Sequence, residues 1–163
     1  MSRRISGIYL PPWVPVVAVI AVVFGILGLL FFTRSATGAP RTTDHWHARY
    51  EITVCGVRQP NVPSFSGGVG VHTHGGGLIH MHPFTPSGEG SGARLVRWFD
   101  YGGGKLTQDE MRIAGQSQTY RNGDLCDDGS EGFLQVFVNG QEMDNWSRYI
   151  PQDADIIRIV FGP

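Results

Sequence analysis

Charge is absent from one long part of the chain, and lysine is almost absent from all of it. No Asp, Glu, Lys or Arg occurs between Arg4 and Arg34, and all 14 acidic residues lie at Asp44 or later. Lys105 is the single lysine. Once Arg3, Arg4 and Arg34 are set aside, the other 10 basic and 14 acidic residues leave a net charge of −4. A weakly acidic domain of this kind lacks the basic surface that binds nucleic acid, so we expect no nucleic-acid partner.

The motifs of several large enzyme classes are missing as well. The chain has no Walker loop, no G-x-S-x-G element and no C-x-x-C pair of the kind that binds structural zinc. Neither an activated hydroxyl nor a pair of carboxylates for acid–base chemistry stands out. The 163 residues suffice for one compact domain after the apolar stretch and are too few for two. Whether the protein is an enzyme therefore stays open at this stage.

The uncharged stretch predicts a transmembrane helix over residues 13–32. Residues 16–32 are almost wholly apolar, and with the three residues before them the run reaches about 20, enough to cross a hydrocarbon core of roughly 30 Å. Tyr9 and Trp13 are candidate interfacial anchors. A cleaved secretory signal is the alternative, but its apolar core is normally 7–15 residues, and Pro40 disfavours cleavage after Ala39.

This interpretation places the protein in the cell membrane as a single-pass protein. Residues 1–12 form a short cytoplasmic tail, residues 33–43 a flexible tether and residues 44–163 an extracytoplasmic domain. The arginines on the two sides of the span nearly balance, so the orientation depends on the short tail and on the Cys pair, which is typical of oxidising compartments. The expected partners are the lipid bilayer, through residues 13–32, and another membrane protein.

Alternating apolar and polar residues dominate the domain. In the segment HWHARYEITVC, five alternate residues from Trp46 to Val54 lie on one face of a predicted strand. Further strands are predicted at 70–74, 78–82, 94–99, 134–139 and 155–161, with a hairpin turn at Asn139-Gly140. A capping box at Thr107–Glu110 predicts a short helix that ends at Gly115. The expected fold is a small, mostly antiparallel β or α+β domain behind an N-terminal transmembrane helix.

The last residues, FVNGQEMDNWSRYIPQDADIIRIVFGP, resemble the end of a ubiquitin-like β-grasp domain. The resemblance implies a V-N-G hairpin and a final strand after an acidic turn. The sulfur-carrier members of that family end in Gly-Gly, whereas this sequence reads Phe161-Gly162-Pro163, so the resemblance does not imply their activity.

Every histidine of the chain belongs to an H-x-H pair. The three pairs are His45/His47, His72/His74 and His80/His82. Because side chains alternate along a strand, residues i and i+2 project from the same face. Two imidazoles placed in this way can converge on one metal ion.

Two of these pairs flank a glycine turn in the segment GVHTHGGGLIHMHPF. If His74 lies opposite Leu78, then His72 faces His80 and four imidazoles share one face, with the mostly apolar set Val71, Thr73, Ile79 and Met81 on the reverse. A register shift of one residue would mix the two faces, so the apolar pattern selects the four-histidine face. If the His45 strand joins the same sheet, six imidazoles can converge.

These histidines are candidate ligands for a transition metal, with zinc or copper as the leading ions. An all-imidazole site leaves the charge of a divalent ion unneutralised, and Asp44, Glu51 and Glu89 are the nearest acidic candidates in the sequence. Met81 is predicted to point away from the cluster. The alternative is a non-catalytic interaction module, an accessory part of a membrane complex, whose histidines only form hydrogen bonds.

The segments HWHARYEITVCG and GVHTHGGGLIHMHPF, with the C-terminal VNG…IIRIVFG, resemble a family of uncharacterised, single-pass membrane-anchored bacterial proteins. The resemblance extends over roughly residues 44–161, and its specific motifs are H-W-H-A and H-T-H-G-x-G-L-I-H-x-H-P-F. It implies one extracytoplasmic domain and no particular activity. Members often carry an acidic residue in the glycine turn, where this chain has Gly76.

The two cysteines are predicted to form a disulfide. Cys55 ends the first predicted strand and Cys126 lies in the acidic loop NGDLCDDGSEG, so a bond between them would close a long loop worth roughly 4 kcal/mol. Metal ligation by free thiols is the alternative. Asp124 and Asp128 in that loop superficially suggest a calcium site. However, Cys126 takes a ligand position and the terminal Glu of an EF-hand loop is missing. A solvated turn is therefore the favoured interpretation of this loop.

Overall fold

A computed structural model describes residues 13–34 and 38–163, with the side chains of 14–26 and 38–163. The chain divides into two compact units, Met1–Gly38 and Ala39–Pro163. The predicted cytoplasmic tail at 1–12, and residues 35–37 of the predicted tether, lie outside the described residues.

The first unit contains helix α1, Trp13–Arg34. Within the residues that the structure describes, no helix combines the length and the apolar character needed to cross a membrane. For the described part of the chain, the prediction of a transmembrane helix over 13–32 is therefore wrong, and so are the single-pass location and the membrane anchoring that depended on it.

The second unit is mostly β structure with one short α-helix. Helix α2 is Leu95–Tyr101, and single 3-10 turns lie at Pro86–Gly88, Gly90–Ala93 and Trp146–Arg148. The ten strands are β1 (Trp46–Val54), β2 (Val57–Arg58), β3 (Val71–His72), β4 (Leu78–Met81), β5 (Lys105–Leu106), β6 (Glu110–Arg112), β7 (Tyr120–Arg121), β8 (Phe133–Val138), β9 (Gln141–Glu142) and β10 (Ile156–Gly162).

Seven of these strands form one sheet built around β1. The order is β3-β4-β1-β10-β8-β9, and β2 also pairs with β1. The β1–β10 pair is parallel, while the other pairs in this sheet are antiparallel. Strands β5, β6 and β7 form a separate small sheet.

The predicted alternation of β1 is confirmed. Ala48, Tyr50, Ile52 and Val54 are buried, whereas the residues between them are half-buried or exposed. The strand thus contributes one face to the hydrophobic core and leaves the other, which carries His47, accessible. This division places the histidines on the side of the sheet that faces away from the core.

Two element predictions are wrong. Residues 94–99 were expected to form a strand, but 95–101 form α2, because Leu95, Trp98 and Phe99 follow the i, i+3, i+4 spacing of a helix face and are all buried. The expected helix at 107–115 is instead a turn followed by β6. Thr107 Oγ1 does accept hydrogen bonds from the N–H groups of Asp109 and Glu110.

The reason that no helix follows lies in the partners of Glu110. In a capping box its carboxylate would bond back to the N–H of Thr107. Here the carboxylate forms ion pairs with Lys105 on β5 and with Arg121 on β7, 3.4 Å from the Nε of the arginine. Pairing between strands therefore prevails over the local helix signal.

The predicted turn and disulfide are confirmed. Asn139 and Gly140 join β8 to β9 with positive φ angles of 52° and 84°. Cys55 and Cys126 form a disulfide that links residues 71 apart in sequence. Asp124 and Asp128 in the acidic loop accept hydrogen bonds from the N–H groups of Arg121 and Ser130, so both carboxylates serve the loop itself.

Candidate metal centre

Three adjacent strands bring the histidine pairs together. Strand β4 lies between β3 and β1, and His80 on β4 is directly opposite His72 on β3 and His47 on β1. Val71 is opposite Met81 in the same hairpin, which is the predicted register. The predicted four-histidine face is therefore present, and the strand that begins after His45 has joined the same sheet.

The six imidazoles occupy neighbouring positions on one face of these strands. His47, His80 and His72 form a row across β1, β4 and β3, because directly paired residues project to the same side. His45 and His82 form the next row, with ring centroids 4.8 Å apart. His74 lies on the side of the first row opposite to His45 and His82, and its ring centroid is 4.6 Å from that of His80.

Ring contacts connect all six histidines. The centroid of His47 lies 4.6 Å from that of His80 and 4.7 Å from that of His45. His72 lies 4.5 Å from His82 and 5.1 Å from His80. No ring is therefore isolated from the others.

Two groups of three histidines can each hold a metal ion. They are His45, His47 and His80, which we call triad A, and His72, His74 and His80, which we call triad B. Within each group one potential ligand nitrogen per residue lies within 4.8 Å of the others. His80 belongs to both groups.

The spacing of His72 and His74 already matches a metal site. Their Nε2 atoms lie 3.3 Å apart. Two ligands of a tetrahedral ion with metal–nitrogen bonds of 2.0–2.1 Å are about 3.3 Å apart, which is the separation of these two nitrogens. In the absence of an ion the same distance allows a weak hydrogen bond between one protonated and one unprotonated nitrogen.

Exposure differs among the six rings. His72 is 7% exposed, and its Nδ1 is buried without a hydrogen-bond partner. His47, His80 and His82 are half-buried, while His45 and His74 are exposed. A buried polar atom without a partner is unfavourable. Each triad therefore has one member that solvent reaches freely.

The reverse face of the hairpin belongs to the core. Val71, Ile79 and Met81 are 0% exposed, as is Thr73. Met81 is accordingly directed away from the histidines, as predicted, and its thioether is not available to an ion among them. The rigid packing of this face holds the backbone that carries the histidines.

Core residues support the histidine strands in ways that the sequence did not indicate. Trp98 on α2 donates its indole N–H to the carbonyl oxygen of His72, at 3.2 Å in a buried position. The amide of Asn61 donates to the carbonyl oxygen of Gly75 at 3.1 Å, and the N–H of Tyr50 donates to that of Gly77. The helical spacing of 95–101 was the signal that could have identified Trp98, whereas Asn61 carries no such signal.

The glycine turn has the conformation that its composition suggests. Gly75 and Gly77 have φ angles of 80° and 76°, in the region that side chains rarely adopt. Gly76 has no such constraint, and a Cβ atom there would meet nothing within 4 Å. This position can therefore hold a side chain.

His47 also adjoins a cavity of about 460 Å³. Arg49, Leu78, Asp153 and Ile156 are among its lining residues. Asp153 accepts a hydrogen bond from the backbone N–H of His47 at 2.9 Å, which ties the loop before β10 to the start of β1. Asp153 is a further supporting residue that no pattern in the sequence indicated.

The environment keeps the central imidazoles neutral. Burial, followed by the nearby charges of His47, His72, His74 and His82, lowers the pKa of His80 to about 4. Burial also lowers the pKa of His72 and the pKa of His82. Neutral imidazole is the form that binds a metal ion, so the cluster is prepared for an ion at neutral pH.

The three acidic residues named as candidate ligands have other partners. Asp44 accepts a hydrogen bond from the N–H of Arg41, and Glu89 accepts one from the N–H of Thr42. Glu51 lies 3.7 Å from the guanidinium of Arg58. Neither candidate ligand group found in the described part of the chain includes a carboxylate or a thiol, because both consist of histidine alone.

Comparisons with protein-family models, with curated proteins and with solved structures give no match to this chain. The resemblance to a bacterial membrane-anchored family and the similarity to β-grasp domains thus stay predictions.

Proposed function

We propose that this domain binds a transition-metal ion, zinc or copper, through its H-x-H histidines. The observation that carries the proposal is the position of His80 between His47 and His72 on adjacent strands. Three independent strands must be aligned for this arrangement to arise. In each triad the alignment brings the candidate ligand nitrogens within 4.8 Å of one another. Small side-chain rotations would then bring these nitrogens to coordination distance from one ion.

The ligand chemistry supports zinc or copper among the common ions. Both bind imidazole nitrogen readily, whereas magnesium and calcium require oxygen ligands. Three histidines leave at least one coordination position for water, an anion or a further ligand. His82, 4.5 Å from the ring of His72 and 4.8 Å from that of His45, is the candidate for a fourth imidazole in either triad.

The charge of the site supports metal handling. Both triads are composed of uncharged ligands, so a bound ion keeps its positive charge within a half-buried cluster. An ion whose charge is not neutralised, and which has an open coordination position, can bind a further ligand there, as an ion that is passed on must do.

A second function has one observation in its favour. The contact between His72 and His74 at 3.3 Å is also what two histidines with a purely structural role would form. In that case the domain is an interaction module, and the exposed rings of His45 and His74 lie on the surface that a partner would contact. The two functions differ in a single measurable property, the binding of metal.

The test is metal binding by the full chain, purified without a tag. After incubation with Zn²⁺ or Cu²⁺ and removal of free ion, we expect about one ion per chain by elemental analysis. His80→Ala removes the ligand common to both triads and is expected to lower the affinity at least tenfold. Thr53→Ala, on the same face of β1 but towards its other end, is the matched control and keeps the affinity of the parent protein.

Two results would contradict the proposal. One is a folded parent protein that binds neither ion. The other is an unchanged affinity in a folded His80→Ala variant, because the geometry makes His80 common to both triads. Circular dichroism spectra of all three proteins establish whether each is folded.

A further inference from the structure

His80 is the only residue shared by the two triads. A neutral imidazole has one unprotonated nitrogen and therefore one lone pair for a metal ion. While His80 binds an ion in triad A, it has no such nitrogen for an ion in triad B. The two positions are consequently alternatives for one ion, unless His80 loses its second proton and bridges two.

The two positions are close enough for an ion to pass between them. His47 and His72 flank His80 on opposite sides in the same row of the sheet. Their ring centroids lie 4.6 Å and 5.1 Å from that of His80. Rotation of the His80 ring towards one neighbour or the other thus moves a bound ion by only a few ångströms.

Both triads are open to solvent at the end that lies away from His80. Triad A ends in the exposed His45 and triad B in the exposed His74, while His80 at the centre is half-buried. An ion can therefore reach the cluster at one end and leave it at the other.

We propose that the cluster holds one metal ion that exchanges between triad A and triad B, with His80 as the common ligand. This inference rests on the proposed metal binding. In the exchange the bonds to His45 and His47 break while bonds to His72 and His74 form, and the bond to His80 is kept. No charge or proton is gained or lost. The arrangement is a short transfer path for a metal cargo.

The test compares two double variants with the parent protein. His45→Ala/His47→Ala leaves only triad B, and His72→Ala/His74→Ala leaves only triad A. We expect the parent protein and each double variant to bind one Cu²⁺ ion per chain. The electron paramagnetic resonance spectrum of each double variant should show one copper signal, and the parent spectrum should be a sum of the two.

Three results would overturn the exchange. They are two Cu²⁺ ions bound at once by the parent protein, loss of binding in only one double variant, or a parent spectrum identical to that of one variant. Each of these leaves metal binding itself intact. Failure of the proposed function is a separate outcome, in which the folded parent protein binds no ion at all.

Discussion

At the scale of single residues, His80 has the most perturbed environment of the candidate ligands. Its pKa is lowered to about 4 by burial first and then by the charges of the surrounding histidines. In an unfolded chain the same side chain has a pKa near 6.5. Between these two values the unfolded chain binds more protons than the folded one, so acidification favours unfolding.

We therefore expect the metal-free protein to lose stability as the pH falls from about 6.5 towards 4. The lowered pKa values of His72 and His82 act in the same direction. Urea unfolding at pH 7 and at pH 4.5, in the presence of a chelator, measures the difference. His80→Gln removes the titrating group and should reduce this loss of stability.

Nuclear magnetic resonance gives an independent readout of the same effect. The ring protons of His80 should titrate well below pH 6 in the folded protein. An ordinary midpoint near 6.5, or an unchanged pH dependence of stability in His80→Gln, would contradict the assignment.

At the scale of elements, the sheet and α2 cooperate to position the histidines. Strand β3 has only two residues, and besides its pairing with β4 the segment is held by a single bridge between Thr73 and Phe65. The buried hydrogen bond from Trp98 to the carbonyl oxygen of His72 ties β3 to α2. The helix thereby holds the backbone of a candidate metal ligand.

Trp98→Phe should lower both stability and metal affinity. The substitution leaves the carbonyl oxygen of His72 without its donor, at an expected loss of about 1–3 kcal/mol in the free energy of unfolding. It also frees β3 to shift relative to β4, which weakens coordination by His72. Urea unfolding and titration with Zn²⁺ measure the two effects.

Trp146→Phe provides the matched control. Its indole N–H also donates to a backbone carbonyl oxygen, that of Thr107, at 3.3 Å. We expect a stability loss of similar size with unchanged affinity for Zn²⁺. Equal effects of the two substitutions on affinity would show that Trp98 acts only through general stability.

At the scale of elements, the sequence predicted some strands correctly and missed others. Strand β1 and the register of the β3–β4 hairpin followed from alternation, because burial on one face of a sheet imposes a period of two. Helix α2 and strand β6 did not follow. The spacing of Leu95, Trp98 and Phe99 is that of a helix face and not of a strand, and in β6 the contacts of Glu110 with the distant Lys105 and Arg121 decided the conformation.

At the scale of the whole molecule, the disulfide and the histidine cluster are far apart on β1. Cys55 directly follows the end of the strand, whereas His47 is its second residue. Eight residues of extended chain separate them by about 26 Å at 3.3 Å per residue. The disulfide therefore stabilises the second unit without contributing to the candidate metal centre.

Cys55→Ser/Cys126→Ser should lower the free energy of unfolding by about 4 kcal/mol, because the bond closes a loop of 71 residues. Urea unfolding of the parent protein and the variant gives the difference. Under conditions in which the variant remains folded, it should bind Zn²⁺ with the stoichiometry of the parent protein. A selective loss of metal binding in the folded variant would contradict the separation of the two sites.

The amino-acid sequence alone was sufficient for the local order of the histidines. Alternation places the members of each H-x-H pair on one face, and the apolar residues of the hairpin select a single register, since both properties depend on near neighbours. The convergence of all six histidines required the tertiary structure, which pairs β1 with β4 and so places His47 beside His80. The sharing of His80 by two triads also required the tertiary structure, and so did the support that Trp98 and Asp153 give to the histidine strands. These contacts join residues that are far apart in the chain.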